Sequence, residues 1–274
     1  MYALITIKEQ IKLELIIFGA IFIIGTLLGS FFTLAVYRIP LKQDITHERS
    51  YCPKCNHRLE FLDLIPILSY LFLGGKCRYC KEKIRPRYLL LEVFSGLLFL
   101  LFAISLKINI FNLEINKLVY LVFGMFYIST LFIIGGIEKE NHLVSIPVVV
   151  FGLIIEVLYI IYLYIVNISI YKYVIYLFLI LTILILNKSL SNKKGKQSYV
   201  LQILALCFYL AIGTKEEIVV ASIIITLLLV AIKQIINKLK QRKEKTNINK
   251  QIPIGFYLCF ANIAALIIYN YIVY

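Results

Sequence analysis

The chain has 274 residues, of which 61% are hydrophobic and 16% charged, and its formal net charge is +14. Those proportions lie outside the range of a water-soluble globular domain. Apolar runs of about 18 or more residues recur along the sequence, which marks a polytopic membrane protein. In such a chain a basic excess reports on topology and on anionic lipid, and it gives no reason to expect nucleic acid as a partner.

The first apolar run, 14–37, is of spanning length and has no A-x-A-like cleavage site, so it reads as a membrane helix and not as a cleavable signal peptide. Further spans are expected at 89–107, 118–137, 145–166, 169–187, 198–213, 217–236 and 252–273, with 198–213 the short one. The expected fold class is an all-α polytopic membrane protein of about eight transmembrane helices, with a small module between the first two. In domain terms, 1–37 is the first membrane helix, 38–88 the module and 89–274 a helical bundle.

Lysine and arginine set the expected orientation. Segment 38–88 carries 11 of them, 188–196 four and 233–250 seven, and Lys139 sits in the short loop after the third span. With eight spans these loops share one face, which the positive-inside rule makes cytoplasmic. The expected location is therefore the cytoplasmic membrane, multi-pass, with the module in the cytoplasm.

That module contains Cys52, Cys55, Cys77 and Cys80, two C-x-x-C knuckles separated by 21 residues. Two thiolates from each knuckle complete a closed four-cysteine zinc site. A disulfide pair is the alternative in an oxidising compartment, and an iron–sulfur centre is a third reading. A segment of about 50 residues buries little core, so a metal would organise it. Cys207 and Cys259 fall inside spans and read as packing residues.

The sequence "GSFFTLAVYRIP" from Gly29, then "DLIPILSYLFLGGKCRYC", then "IRPRYLLLEVFSG" from Ile84, resembles the amino-terminal domain of the type IV prepilin leader peptidase/N-methyltransferases. The resemblance is dense over 29–100 and returns weakly in "QIPIGFYLCFANIAALI". Thr33 departs from the usual asparagine of the first motif. The resemblance implies a membrane aspartic-type endopeptidase that cuts prepilin or pseudopilin leaders. It also implies methylation of the new amino terminus from S-adenosylmethionine, and zinc in the cysteine module. No glycine-rich loop after a strand marks a methyl-donor pocket.

An aspartyl dyad needs two carboxylates sharing a proton, and here the match to the family fails. The only aspartates are Asp44 and Asp63, both in the amino-terminal segment. Glu138 stands where the family's first aspartate would be, with Glu140 the candidate in a register set from Pro147. Both also read as solvated charges at a turn. At the second position Gly195, Lys196, Gln197 and Ser198 replace the four residues of the GxGD motif, so Ser198 takes the place of the aspartate. No acid occurs between Glu156 and Glu216. Glu156 lies deep in the fourth span, which makes it either a functional group or a neutral acid hydrogen-bonded to a neighbouring helix. Glu92, in "RYLLLE", is expected to anchor the module or to contribute to methyl-donor binding.

Three functions follow. The chain is a divergent prepilin peptidase and N-methyltransferase, or a homologue without peptidase activity that methylates or binds prepilin-like chains. The third reading is a scaffold or transporter, for which the repeated halves of a transporter are lacking.

Overall fold

The structure is a computed structural model that describes residues 2–108, 114–194, 198–244 and 251–274. Its described elements are α1 (Tyr2–Arg38), a single 3-10 turn (Phe61–Asp63), α2 (Leu68–Phe72), α3 (Arg87–Ser105), α4 (Ile115–Asn141), α5 (Ile146–Ile165), α6 (Tyr171–Lys194), α7 (Tyr199–Gly213), α8 (Glu216–Glu244) and α9 (Ile254–Val273). Among the described residues there is no strand, only isolated bridges pairing Tyr51 with Arg58 and Lys76 with Lys83. Among the described residues, seven helices are long and apolar enough to cross a membrane. The eighth expected span, α7, has 15 residues, which rise about 22 Å against a hydrocarbon core of about 30 Å. It is an apolar helix below spanning length.

The chain divides into two compact units, Met1–Val122 with Tyr274, and Phe123–Val273. In the first unit α1 and α3 pack without room for side chains at the crossing. A methyl group at Gly25 would come within 2.8 Å of Gly96 Cα, and one at Gly29 within 2.7 Å of Ser95 Cβ. Gly25 and Gly29 are four apart on one face, the small-residue spacing that lets membrane helices touch backbone to backbone. The Ser95 hydroxyl donates to the Gly25 carbonyl at 2.8 Å across that seam. Interhelical hydrogen bonds of this kind are worth about 0.6–2 kcal/mol in a membrane, where lipid offers no competing partner.

In the second unit the core is built around aromatic side chains. Tyr127 of α4 and Tyr209 of α7 are both buried and stack with centroids 5.7 Å apart. Their hydroxyls are satisfied: Tyr127 donates to Asn262 Oδ1 at 2.9 Å, and Tyr209 pairs with Thr130 Oγ1 at 2.6 Å. Gly152 and Gly213 make room for these rings, since a Cβ at Gly152 would run into the Tyr209 ring and one at Gly213 into the Tyr127 ring. Helix α4 stops where His142 takes the left-handed conformation (φ 55), and α5 restarts after Ser145 with Pro147 in its first turn.

Candidate functional site

The two cysteine knuckles are copies of one turn. In the first, the Cys52 amide donates to the His57 carbonyl and the Asn56 amide to the Cys52 carbonyl. In the second, the Cys77 amide donates to the Glu82 carbonyl and the Lys81 amide to the Cys77 carbonyl. Asn56 (φ 55) and Lys81 (φ 59) occupy the same left-handed position after the second cysteine of each. Each turn is closed further out, by Leu59 N–H to Ser50 and by Ile84 N–H to Gly75. Facing knuckles bring the four sulfur atoms within 4.8 Å of one another, with Cys52 and Cys80 at 3.8 Å.

A tetrahedral ion with metal–sulfur bonds of about 2.3 Å requires sulfurs about 3.8 Å apart, so the donor set fits such an ion. The backbone N–H of Cys55, followed by that of Lys54, favours the Cys52 thiolate and lowers its pKa to about 7. Cys80 is pushed up to about 12. The Glu82 amide favours its thiolate, but desolvation and the thiols of Cys55, Cys77 and Cys52 outweigh it.

Three polar side chains hold the module in shape. Arg38, buried at the end of α1, donates through Nη1 to the carbonyls of Asp44 (2.9 Å) and Glu48 (2.8 Å), and through Nη2 to that of Arg49 (3.4 Å). Asp63 accepts from Arg78 Nε at 2.6 Å and from the Glu60 amide at 3.2 Å. Glu92, on α3, accepts the Ile67 amide at 2.8 Å. Ile67 has φ 63, a conformation that costs a β-branched residue about 1–3 kcal/mol and persists only where its surroundings enforce it. Of the two roles expected for Glu92, this geometry is that of an anchor.

Glu138 is fully buried near the end of α4 and is not a solvated turn charge, whereas Glu140 is exposed. Both Glu138 carboxylate oxygens are engaged. The Tyr199 hydroxyl donates to Oε1 at 2.6 Å, and the Phe256 amide donates to Oε2 at 2.8 Å. The Tyr199 hydroxyl also accepts the Ile254 amide at 3.1 Å. Phe256 and Ile254 lie in the first turn of α9, whose amides have no partners within the helix and whose dipole favours an anion there. One carboxylate thus ties α4, α7 and α9 together.

Ser198, the expected partner, is the residue before α7 and makes no capping bond with its side chain. Its amide donates to Asn187 Oδ1 at 3.1 Å. The group paired with Glu138 is the next residue, Tyr199. Gly195, Lys196 and Gln197 lie outside the described residues. Sequence reasoning passed over Tyr199 because an acid was sought there, although a tyrosine opening an apolar helix about 60 residues after Glu138 was in view.

Glu156 is buried beside Gly213, whose added Cβ would sit 2.8 Å from Oε1. Neither of its oxygens has a hydrogen-bond partner among the described residues. The expected bond to a neighbouring helix is therefore not made, because Tyr127 and Tyr209 on that side direct their hydroxyls to Asn262 and Thr130.

Residues 23–106 match the model of the bacterial peptidase A24 N-terminal domain. Over this stretch the chain is similar to the amino-terminal domain of the prepilin leader peptidase/N-methyltransferases. The domain holds all four cysteines, Arg38, Asp63, Arg78 and Glu92, so each anchor described above is part of it. The chain is 44% identical over 79 residues to the prepilin leader peptidase/N-methyltransferase of Myxococcus xanthus, covering 29% of this chain and 24% of that protein. It is 44% identical over 92 residues to the Bacillus subtilis protein of the same name, covering 32% and 37%. With the Klebsiella pneumoniae protein of that name it shares 32% over 129 residues, covering 45% and 53%. The matched part thus spans about a quarter to a half of the length of these relatives. No solved structure matches.

Proposed function

We propose that this chain processes prepilin-like or pseudopilin substrates, as the names of its relatives describe, cleaving the leader and methylating the new amino terminus. The amino-terminal domain with its facing cysteine knuckles carries this reading. Cys52, Cys55, Cys77 and Cys80 hold one structural zinc ion, which crosslinks the two knuckles and leaves no open coordination position for chemistry. The 11 basic residues of segment 38–88 support a cytoplasmic position for the module.

In this reading Glu138 is the surviving carboxylate of the peptidase centre. The Tyr199 hydroxyl and the Phe256 amide fix its direction, and a general base must be held in position. Ser198 directly precedes Tyr199 at the start of α7. S-adenosylmethionine would supply the methyl group to the free amine, which would lose a proton as S-adenosylhomocysteine left.

The second reading is a homologue without peptidase activity, in which Glu138 serves to join helices. The chain would then methylate or bind prepilin-like substrates without cutting them.

The test is intact-mass analysis of a prepilin-like substrate incubated with the protein in lipid, with and without S-adenosylmethionine. Loss of the leader, abolished by Glu138→Gln, supports the peptidase. A gain of one methyl on a pre-cleaved substrate alone supports the second reading. Neither change would leave only the binding of prepilin-like chains.

A further inference from the structure

The module carries a surface that neither the metal nor the anchors account for. Between the knuckles, Phe61, Leu62, Leu68, Leu71 and Phe72 are exposed, with Phe61 at 81% and Phe72 at 86%. Five large apolar side chains within twelve residues make a patch on the order of several hundred Å², which a surface facing water rarely leaves open. From Phe61 to Gly75 the only ionisable residue other than tyrosine is Asp63, and its carboxylate is covered and paired with Arg78. The Tyr70 hydroxyl donates inward to the Ile84 carbonyl. The segment therefore presents no unpaired charge of its own.

Its position is fixed by Glu92. That residue lies five positions into α3, about 7.5 Å along the helix axis from Arg87, and it grips the Ile67 amide. The backbone at the middle of the apolar segment thus runs beside the opening turns of a membrane-spanning helix. Next to the patch, a cavity of about 370 Å³ is bordered by Lys76, Lys83 and Arg85. Apolar side chains at the level of a span's first turns, with basic groups beside them, are the chemistry of a surface that sits in the headgroup layer of an anionic bilayer.

We propose that Phe61–Phe72 is a membrane-docking element. Its apolar side chains enter the boundary between headgroups and acyl chains, and Lys76, Lys83 and Arg85 meet anionic lipid phosphates. The metal module is then laid against the bilayer, and does not stand off it on its two tethers. This placement does not depend on which reaction the protein catalyses.

The chain has no tryptophan, so Phe72→Trp introduces a single reporter into the full-length protein. It would be placed in nanodiscs of mixed zwitterionic and phosphatidylglycerol lipids, with and without brominated acyl chains. Phe178→Trp on the exposed face of α6 marks acyl-chain depth, and Lys54→Trp on the first knuckle marks water. Leu71→Trp is a second reporter in case Phe72→Trp lowers the metal content of the module.

Brominated lipid is expected to remove roughly half of the Phe72→Trp emission, close to its effect at 178, while leaving the signal at 54 unchanged. Replacing Lys76, Lys83 and Arg85 by Gln is expected to reduce quenching in anionic discs and to leave it unchanged in zwitterionic ones. The proposal is overturned if the reporters at 71 and 72 are quenched by aqueous iodide as the one at 54 is, with no effect of brominated lipid. It is overturned equally if only an added prepilin-like peptide shields them, which would make the patch a peptide surface.

Discussion

The two compact units handle their acidic and basic side chains in opposite ways. In the first, Arg38, Asp63, Arg78 and Glu92 each meet a partner within 25 residues in sequence. Together they shape a loop segment too small to fold on its own core. In the second, Glu138 and Glu156 are buried among helices, one with both oxygens engaged and the other with neither engaged among the described residues. The family model covers residues 23–106, within the first unit. A charge that closes a loop is tied to its motif and can be read from it. A charge buried in a bundle depends on which helix end happens to face it, and the motif alone does not say.

The strongest way to sharpen this contrast is to remove a thiol. Cys77→Ser should abolish stoichiometric metal binding and expose segment 38–86 to protease, while the helices of the second unit keep their far-ultraviolet signal. Structural zinc contributes about 10–16 kcal/mol in small four-ligand modules. Elemental analysis and limited proteolysis of the purified protein would check both halves of that statement. Metal binding that persists in Cys77→Ser would break it.

Next in size is Arg38→Ala, which strips donors from the carbonyls of Asp44, Glu48 and Arg49. A charged donor contributes about 1.5–3 kcal/mol per bond, and an unmet buried group costs about as much. Cleavage within 39–50 should accelerate at unchanged metal content, since the thiols are not involved. Metal loss in step with cleavage would mean that the loop and the knuckles are one cooperative unit.

In the second unit Tyr199→Phe should lower thermal stability in detergent by about 1–3 kcal/mol, because Glu138 loses its donor and the Ile254 amide its acceptor. Glu138→Gln should cost less, since an amide oxygen still accepts the Phe256 N–H. If Glu138→Gln proves the more damaging of the two, the negative charge at the α9 terminus matters more than the tyrosine bond.

The smallest expected effect is at Asp44. The Thr46 amide, then that of His47, holds its carboxyl well below the ordinary carboxylate range. A depressed folded-state pKa adds stability that is fully present above the unfolded value of about 3.9 and is lost as pH falls through the folded value. The 38–49 loop should therefore be better ordered in the parent than in Asp44→Asn at neutral pH, and the difference should vanish as pH falls through the folded value. Amide exchange of Thr46 and His47 against pH would read this directly.

The sequence by itself determined the membrane class, the order of the helices, the paired knuckles and the residues able to ligate a metal. Each follows from a local pattern: apolar length or C-x-x-C spacing. It also marked Glu92 as an anchor in one of its two readings, because the motif places it at the start of a span.

Only the tertiary structure decided what the carboxylates do. Glu138 meets Tyr199 and the first turn of α9, residues 61 and 118 positions away, and no local pattern specifies which helix ends converge. Glu156 was legible as an acid in a span but not as one without a partner, since that depends on where Tyr127 and Tyr209 direct their hydroxyls. Periodicity fixes which residues face inward, while packing fixes what they face.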